Sequence, residues 1–204
     1  MKILIVYYSR YGHVLQLARA VEAGAKTVEG IEVVFRRAPE FPEVLKELEK
    51  SEHASRIWKE QQATPECSLD DLREASGVVF GSPTRFGNMI AQMKYLFDST
   101  ASLWLKGEME GKPAGLFTST ASTHGGQETT CLTMMAPLLH LGMLVVGVPY
   151  SIPGMIHVEA RGGTPYGAST IAGAKAELSP APADLEIARA LGRRVSMITK
   201  KLFS

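Results

Sequence analysis

Three polar stretches hold side chains that could do chemistry together. The first is Ser9-Arg10-Tyr11-Gly12-His13, which offers two hydroxyls, a pliable glycine backbone and the N–H groups of a following helix. Hydroxyls beside the unpaired amides of a helix start are the parts of an anion site, and phosphate is its natural guest. The stretch contains no GxxxxGK[ST] and no GxGxxG, so it matches neither a nucleotide P-loop nor a dinucleotide loop. A hydroxyl-rich loop of this kind suits a terminal phosphate monoester, the group that flavin mononucleotide (FMN) carries. An ordinary strand-to-helix turn is the plainer alternative.

The second stretch is Ser82-Pro83-Thr84-Arg85-Phe86-Gly87-Asn88. Pro83 and Gly87 shape the backbone, Thr84 offers a hydroxyl, Phe86 a ring face and Arg85 a fixed positive charge. That inventory suits a planar, electron-rich heterocycle, with Arg85 placed to stabilise negative density at one ring edge. A capped turn with a solvated arginine is the competing explanation. The third stretch, Thr118-Ser119-Thr120-Ala121-Ser122-Thr123-His124-Gly125-Gly126-Gln127-Glu128, is dense in hydroxyls and glycine. It reads as a binding loop or as a solvated low-complexity linker.

The flanking elements explain why the three should meet. Ile3 to Tyr8 is a continuous apolar run, as expected for a strand buried on both faces. Leu15, Ala18 and Val21 then recur at helical spacing. Further strands are expected at 31–37, 77–81, 112–117 and within 141–149, where MLVVGV lies. The intervening 43–62 is charged and helix-prone, reading as a surface helix or extended excursion with no chemistry attached. Ser68 is a candidate N-cap for a short helix. Residues 150–180 are rich in Gly, Pro and hydroxyls without a sustained period, and such an excursion is usually functional. It is expected to follow the fifth strand and cover the crevice. A closing helix is expected over 183–202.

These elements predict an α/β, flavodoxin-like, doubly wound, five-stranded parallel sheet of order 2-1-3-4-5, forming one domain over residues 1–204. Ligands of such sheets bind beyond the carboxyl ends of the strands at the switch point, here between strands one and three. All three polar stretches begin at that edge.

The bulk numbers exclude several function classes. The 204 residues carry a formal net charge of +1 and are 45% hydrophobic, and mean hydropathy is near zero. No basic run favours nucleic acid, and no apolar run approaches the ~20 residues that span a bilayer. Cys67 and Cys131 lie far apart without CxxC or metal spacing, as expected for idle thiols in a reducing compartment. No metal site is expected. With the first strand beginning at once, no signal peptide is expected, and the location is expected to be cytoplasmic.

Taken with their spacing, YYSRYGH (7–13), GSPTRFGNM (81–89), Trp104, GGQE (125–128), HxGM (140–143) and RGGTPYGASTIAG (161–173) resemble the WrbA-type NAD(P)H:quinone oxidoreductases of the flavodoxin-like superfamily from end to end. The resemblance implies FMN, two-electron reduction of quinones by NADH or NADPH, and a homotetramer with active sites at subunit junctions. Carried over by position, it implies that Ser9, Arg10, Tyr11, Gly12, His13 and Val14 hold the phosphate. Pro83, Thr84, Arg85, Phe86 and Gly87, with Ser119, Thr120, Ala121, Ser122, Thr123, His124 and Gly125, would hold the ring and ribityl chain. Tyr11 would contact the nicotinamide donor, Trp104 would line the substrate pocket, and His140 would approach the flavin as a catalytic partner of Arg85. Two departures stand out: the 118–126 loop is a residue longer and carries His124, and 43–68 is longer and more charged.

Rival readings differ in chemistry. A receiver domain shares the architecture but needs acidic residues where Ser9-Arg10 and Ser82-Pro83 stand. A flavodoxin-type electron carrier would need neither Trp104 nor the 150–180 excursion. An accessory role at a DNA-bound repressor would require no turnover at all.

Overall fold

A computed structural model describes residues 1–156 and 163–204. Its centre is a parallel sheet of β1 (Lys2–Tyr7), β2 (Glu32–Arg37), β3 (Gly77–Arg85) and β5 (Pro113–Thr120), edged by β6 (Leu144–Val145) in the order β2-β1-β3-β5-β6. A short β4 (Asn88–Met89) pairs antiparallel with β3, and β7 (Ala168–Ile171) pairs parallel with β5.

Side-chain alternation along the central strands builds two cores. Ile3, Ile5 and Tyr7 of β1 face α1 (His13–Ala25) and α8 (Pro182–Phe203), where Leu17, Val21, Leu191 and Val195 are buried. Leu4, Val6 and Tyr8 face the opposite side, with α5 (Ala91–Asp98), α6 (Ala101–Leu105) and α7 (Gln127–His140) supplying Met93, Leu103, Met134 and Leu138. Strands buried on both faces in this way read as continuous apolar runs, which is why β1 is plain in the sequence. Cys67 and Cys131 are both buried free thiols, and burial pushes each up to about 12.

The coarse architecture matches the expected flavodoxin-like α/β fold, but the strand count does not. The fifth position is divided: β6 pairs Pro113 and Ala114 at the start of β5, and β7 pairs Phe117 to Thr120 at its end. The excursion therefore interrupts the edge strand instead of following it. Two short pieces along one neighbour satisfy the same ladder as one long strand, and no local pattern distinguishes them. Part of the motif at 161–173 and of the excursion lies outside the described residues.

The charged stretch after β2 forms two helices, α2 (Pro42–Leu48) and α3 (Glu52–Gln61), separated by the N-cap Ser51, whose hydroxyl accepts from the Ala54 amide. The short helix α4 (Leu69–Glu74) starts at Ser68 in a capping box: Ser68 Oγ accepts from Asp71 N, and Asp71 Oδ2 accepts from Ser68 N at 2.9 Å. Asp184 of α8 is buried, accepting from Thr170 Oγ1 at 2.6 Å and from Ala181 N at 3.0 Å, and so fixes β7 to the last helix.

Candidate active site

The carboxyl ends of β1, β3 and β5 frame a cleft of about 550 Å³. Its first wall is the turn between β1 and α1. Gly12 adopts φ +93° as the N-cap of α1, and its amide donates to Ser9 Oγ at 3.2 Å. That bond folds Ser9 back toward the helix, whose first-turn amides have no carbonyl within the helix to receive them. Arg10 Nε is buried without a hydrogen-bond partner. An unpaired buried donor beside unpaired amides fits an anion, so the wall suits the phosphate of FMN.

The second wall departs from a simple loop. β3 continues through Ser82 to Arg85, and Thr84 and Arg85 pair with Met89 and Asn88 to make a hairpin. Phe86 and Gly87 form its two-residue tip with φ +53° and +75°. Positive φ at both positions matches a type I′ turn. The turn leaves the Phe86 ring fully exposed at the cleft. Thr84 Oγ1 braces the tip, accepting from Gly87 N at 3.2 Å and from Thr130 Oγ1 at 2.9 Å. Arg85 is exposed on the same wall and donates to the Thr84 carbonyl at 2.9 Å.

The third wall is the end of β5. Ser119, Thr120 and Ala121 line the cleft, while Ser122, Thr123 and His124 are exposed beyond it. Ser122 closes the loop through its carbonyl, which accepts from Thr120 Oγ1 at 2.9 Å and from Gly125 N at 3.0 Å.

The structure thus brings Ser9, Arg10, Tyr11, His13, Val14, Pro83, Thr84, Arg85, Phe86, Ser119, Thr120 and Ala121 together. Gly12 and Gly87 are outside the lining and shape the walls through the positive φ of their turns. Of the other expected participants, Ser122, Thr123, His124 and Gly125 lie outside the cleft lining, and so do His140 and Trp104. His140 is the last residue of α7, whose first turn is at the cleft. Fourteen residues of helix span about 21 Å, and the segment after His140 returns to the amino edge of the sheet, where Gly142 O accepts from Gly111 N at 2.9 Å. Trp104 lies on α6, exposed outside the cleft lining.

Sequence reasoning missed Ser51 and His53, which reach the cleft from the α2–α3 segment, whereas Ala172 to Ala176, within the excursion expected to cover the crevice, complete its rim. The rim is held by His13, whose Nε2 bonds the Leu178 carbonyl at 2.8 Å. Pro149, Ser151, Ile152 and Pro153 instead line a separate depression against α8, so among the described residues only part of the excursion borders the cleft. Among the described residues, no cluster of three or more His, Cys, Asp or Glu side chains could hold a metal, and no helix is long and apolar enough to cross a membrane.

Known proteins resemble the chain in sequence and in fold. The family model "NADPH-dependent FMN reductase" matches residues 1–156. A protein named NAD(P)H dehydrogenase (quinone) from Geobacter sulfurreducens is 48% identical over 205 residues, covering 99% of both chains. Another of that name from Solidesulfovibrio magneticus is 45% identical over 203 residues, again covering 99% of both. Among solved structures, a WrbA-like flavodoxin from Agrobacterium tumefaciens superposes with a TM-score of 0.67 at 23% identity, covering 98% of both chains, which is a likeness of fold. By the matched model the chain belongs to the NADPH-dependent FMN reductase family, and by end-to-end identity it groups with the proteins named NAD(P)H dehydrogenase (quinone).

Proposed function

We propose that this chain is an FMN-dependent NAD(P)H:quinone oxidoreductase, reducing quinones to hydroquinones by two electrons. The observation that carries the reading is the single cleft joining the Ser9–Val14 anion wall to the Phe86 hairpin. The family and the names of the relatives support the cofactor and both substrates. FMN, when bound, supplies hydride acceptance from the nicotinamide and delivery to the quinone. The chain's own residues do the rest. Ser9 Oγ and the first-turn amides of α1 hold the phosphate, with Arg10 beside them. Pro83 to Phe86 and Ser119 to Ala121 flank the ring. Arg85 keeps a positive charge on the wall where negative charge develops. Tyr11 faces the nicotinamide donor.

One cleft serves both substrates in turn, which requires ping-pong kinetics. The assembly is a homotetramer of single-domain subunits, supported by the apolar side chains that α5, α6 and α7 leave exposed: Tyr95, Trp104, Leu105, Leu132 and Leu139. In such an assembly Trp104 and His140 reach the cleft of another copy. The two free thiols support a cytoplasmic location.

The test is anaerobic. NADH or NADPH should bleach the flavin absorption near stoichiometrically, and benzoquinone should restore it. Initial rates against both substrates should give parallel double-reciprocal lines. Bleaching that no quinone reverses would leave an electron carrier, and intersecting lines would reject the shared cleft.

A further inference from the structure

The segment between β2 and α4 has no role in the chemistry above, yet α3 touches the phosphate loop at three points. Gln61 is buried, and its Nε2 donates to the Ser9 carbonyl at 3.0 Å and to the Ile57 carbonyl at 2.9 Å. His53 Nε2 bonds the Tyr11 carbonyl at 3.2 Å, and its ring stacks on that of Tyr11 with centroids 6.2 Å apart. Between them, Ile57 Cδ1 lies 3.1 Å from where a side chain on Gly12 would begin. His53, Ile57 and Gln61 are spaced by four, so they form one stripe along α3.

The hydrogen bonds also fix the His53 tautomer. The Tyr11 carbonyl can only accept, so Nε2 carries the proton. Nδ1 is then the acceptor for Arg56 Nη2, 3.1 Å away. Arg56 thereby orients His53 as His53 orients Tyr11.

A carbonyl oxygen turned into an anion site repels its guest, whereas an amide attracts it. The Ser9 and Tyr11 carbonyls are both drawn onto α3. The loop is therefore held in an anion-accepting shape before any ligand arrives, which lowers the ordering cost of binding.

We infer that α3 is a brace for the phosphate loop, with Gln61 and His53 as positioning residues that set the affinity for the phosphate of FMN. The inference rests on the FMN reading above and deepens it. The brace acts on the phosphate end alone, so it should not affect a flavin that lacks the phosphate.

The test uses the full chain freed of flavin and titrated by fluorescence with FMN and with riboflavin. The unaltered protein should bind FMN more tightly than riboflavin. Gln61→Glu replaces the donor with a carboxylate facing two carbonyls and should weaken FMN by about tenfold or more. His53→Phe keeps the stacking but removes the N–H, and should weaken FMN by about fivefold, the scale of one lost neutral hydrogen bond. Riboflavin affinity should not change in either, and His53→Gln, which restores a donor, should recover most of the loss. If Gln61→Glu does not fold, the exposed His53 carries the comparison. FMN affinity unchanged in His53→Phe, or riboflavin affinity falling in parallel, would overturn the brace. Equal affinity of the unaltered protein for both flavins would instead overturn the phosphate loop itself.

Discussion

At the scale of single residues, Phe86 is the most informative. A non-glycine residue at φ +53° costs roughly 1–2 kcal/mol, and a fully exposed ring returns nothing by burial in this chain. Strain that packing does not explain is a mark of function, which supports the proposal that the Phe86 ring faces a planar ligand. Phe86→Asn creates the Asn-Gly pair that a type I′ turn prefers. We expect it to raise the melting temperature of the flavin-free protein by about 2–4 °C, while weakening FMN and riboflavin alike. Calorimetry and fluorescence titration check the two halves. Ser9→Asp should do the opposite at the other end of the cleft, setting a carboxylate against the phosphate and weakening FMN by well over tenfold with riboflavin spared. Retained FMN affinity in that variant would remove Ser9 from the phosphate wall. Both sites were legible as residue types at a strand end. The backbone geometry that exposes Phe86 was not, because a positive φ at a phenylalanine has no sequence signal. Only the following glycine hints at it.

At the scale of elements, what could be read depended on whether the signal was local. β1 and α1 announce themselves by a buried run and a helical period, and Ser68 by its residue type ahead of a short helix. The extension of β3 to Arg85 depends on pairing with β4 and β5, so it is visible only once those partners are in place. The charged face of α3 concealed its stripe, although His53, Ile57 and Gln61 at spacing four were a usable clue. α1 and the cleft rim are coupled through His13. Burial lowers its pKa below the ordinary histidine value, partly offset by the hydrogen bond to the Leu178 carbonyl. The unfolded chain therefore takes up the proton first. The associated stability is intact above about pH 6.5 and is lost as pH falls through that value toward the lower folded pKa. The urea midpoint of the flavin-free protein should drop between about pH 7.5 and 5.5, and His13→Gln should flatten the drop. A midpoint whose pH dependence is the same in His13→Gln would show that His13 is not the group responsible.

At the scale of the whole molecule, the described chain completes a cleft but leaves His140 about a helix length away from it. The same face of the sheet exposes Trp104 and Leu139, at 57% and 63% of their full surface, together with Leu105 at 76%. Large apolar side chains left in water across neighbouring helices mark an association surface rather than a core. In the proposed assembly, loops of one chain hold FMN and a second copy supplies Trp104 and His140, so cofactor binding and quinone turnover should separate when the assembly is broken. Leu139→Asp places a charge on the exposed last turn of α7 without disturbing the buried Met134 and Leu138 beneath it. Burying an unpaired carboxylate between subunits costs several kcal/mol, enough to shift the equilibrium toward smaller species. We expect sedimentation to show a tetramer for the unaltered protein and dissociation in Leu139→Asp, with the FMN spectrum retained and quinone reduction largely lost. Trp104→Ala, which deletes a ring without adding charge, should leave the FMN spectrum intact and slow the quinone half-reaction more than reduction by NAD(P)H. A dissociated Leu139→Asp protein with full quinone turnover would place the entire active site within one chain and leave His140 with no part in it.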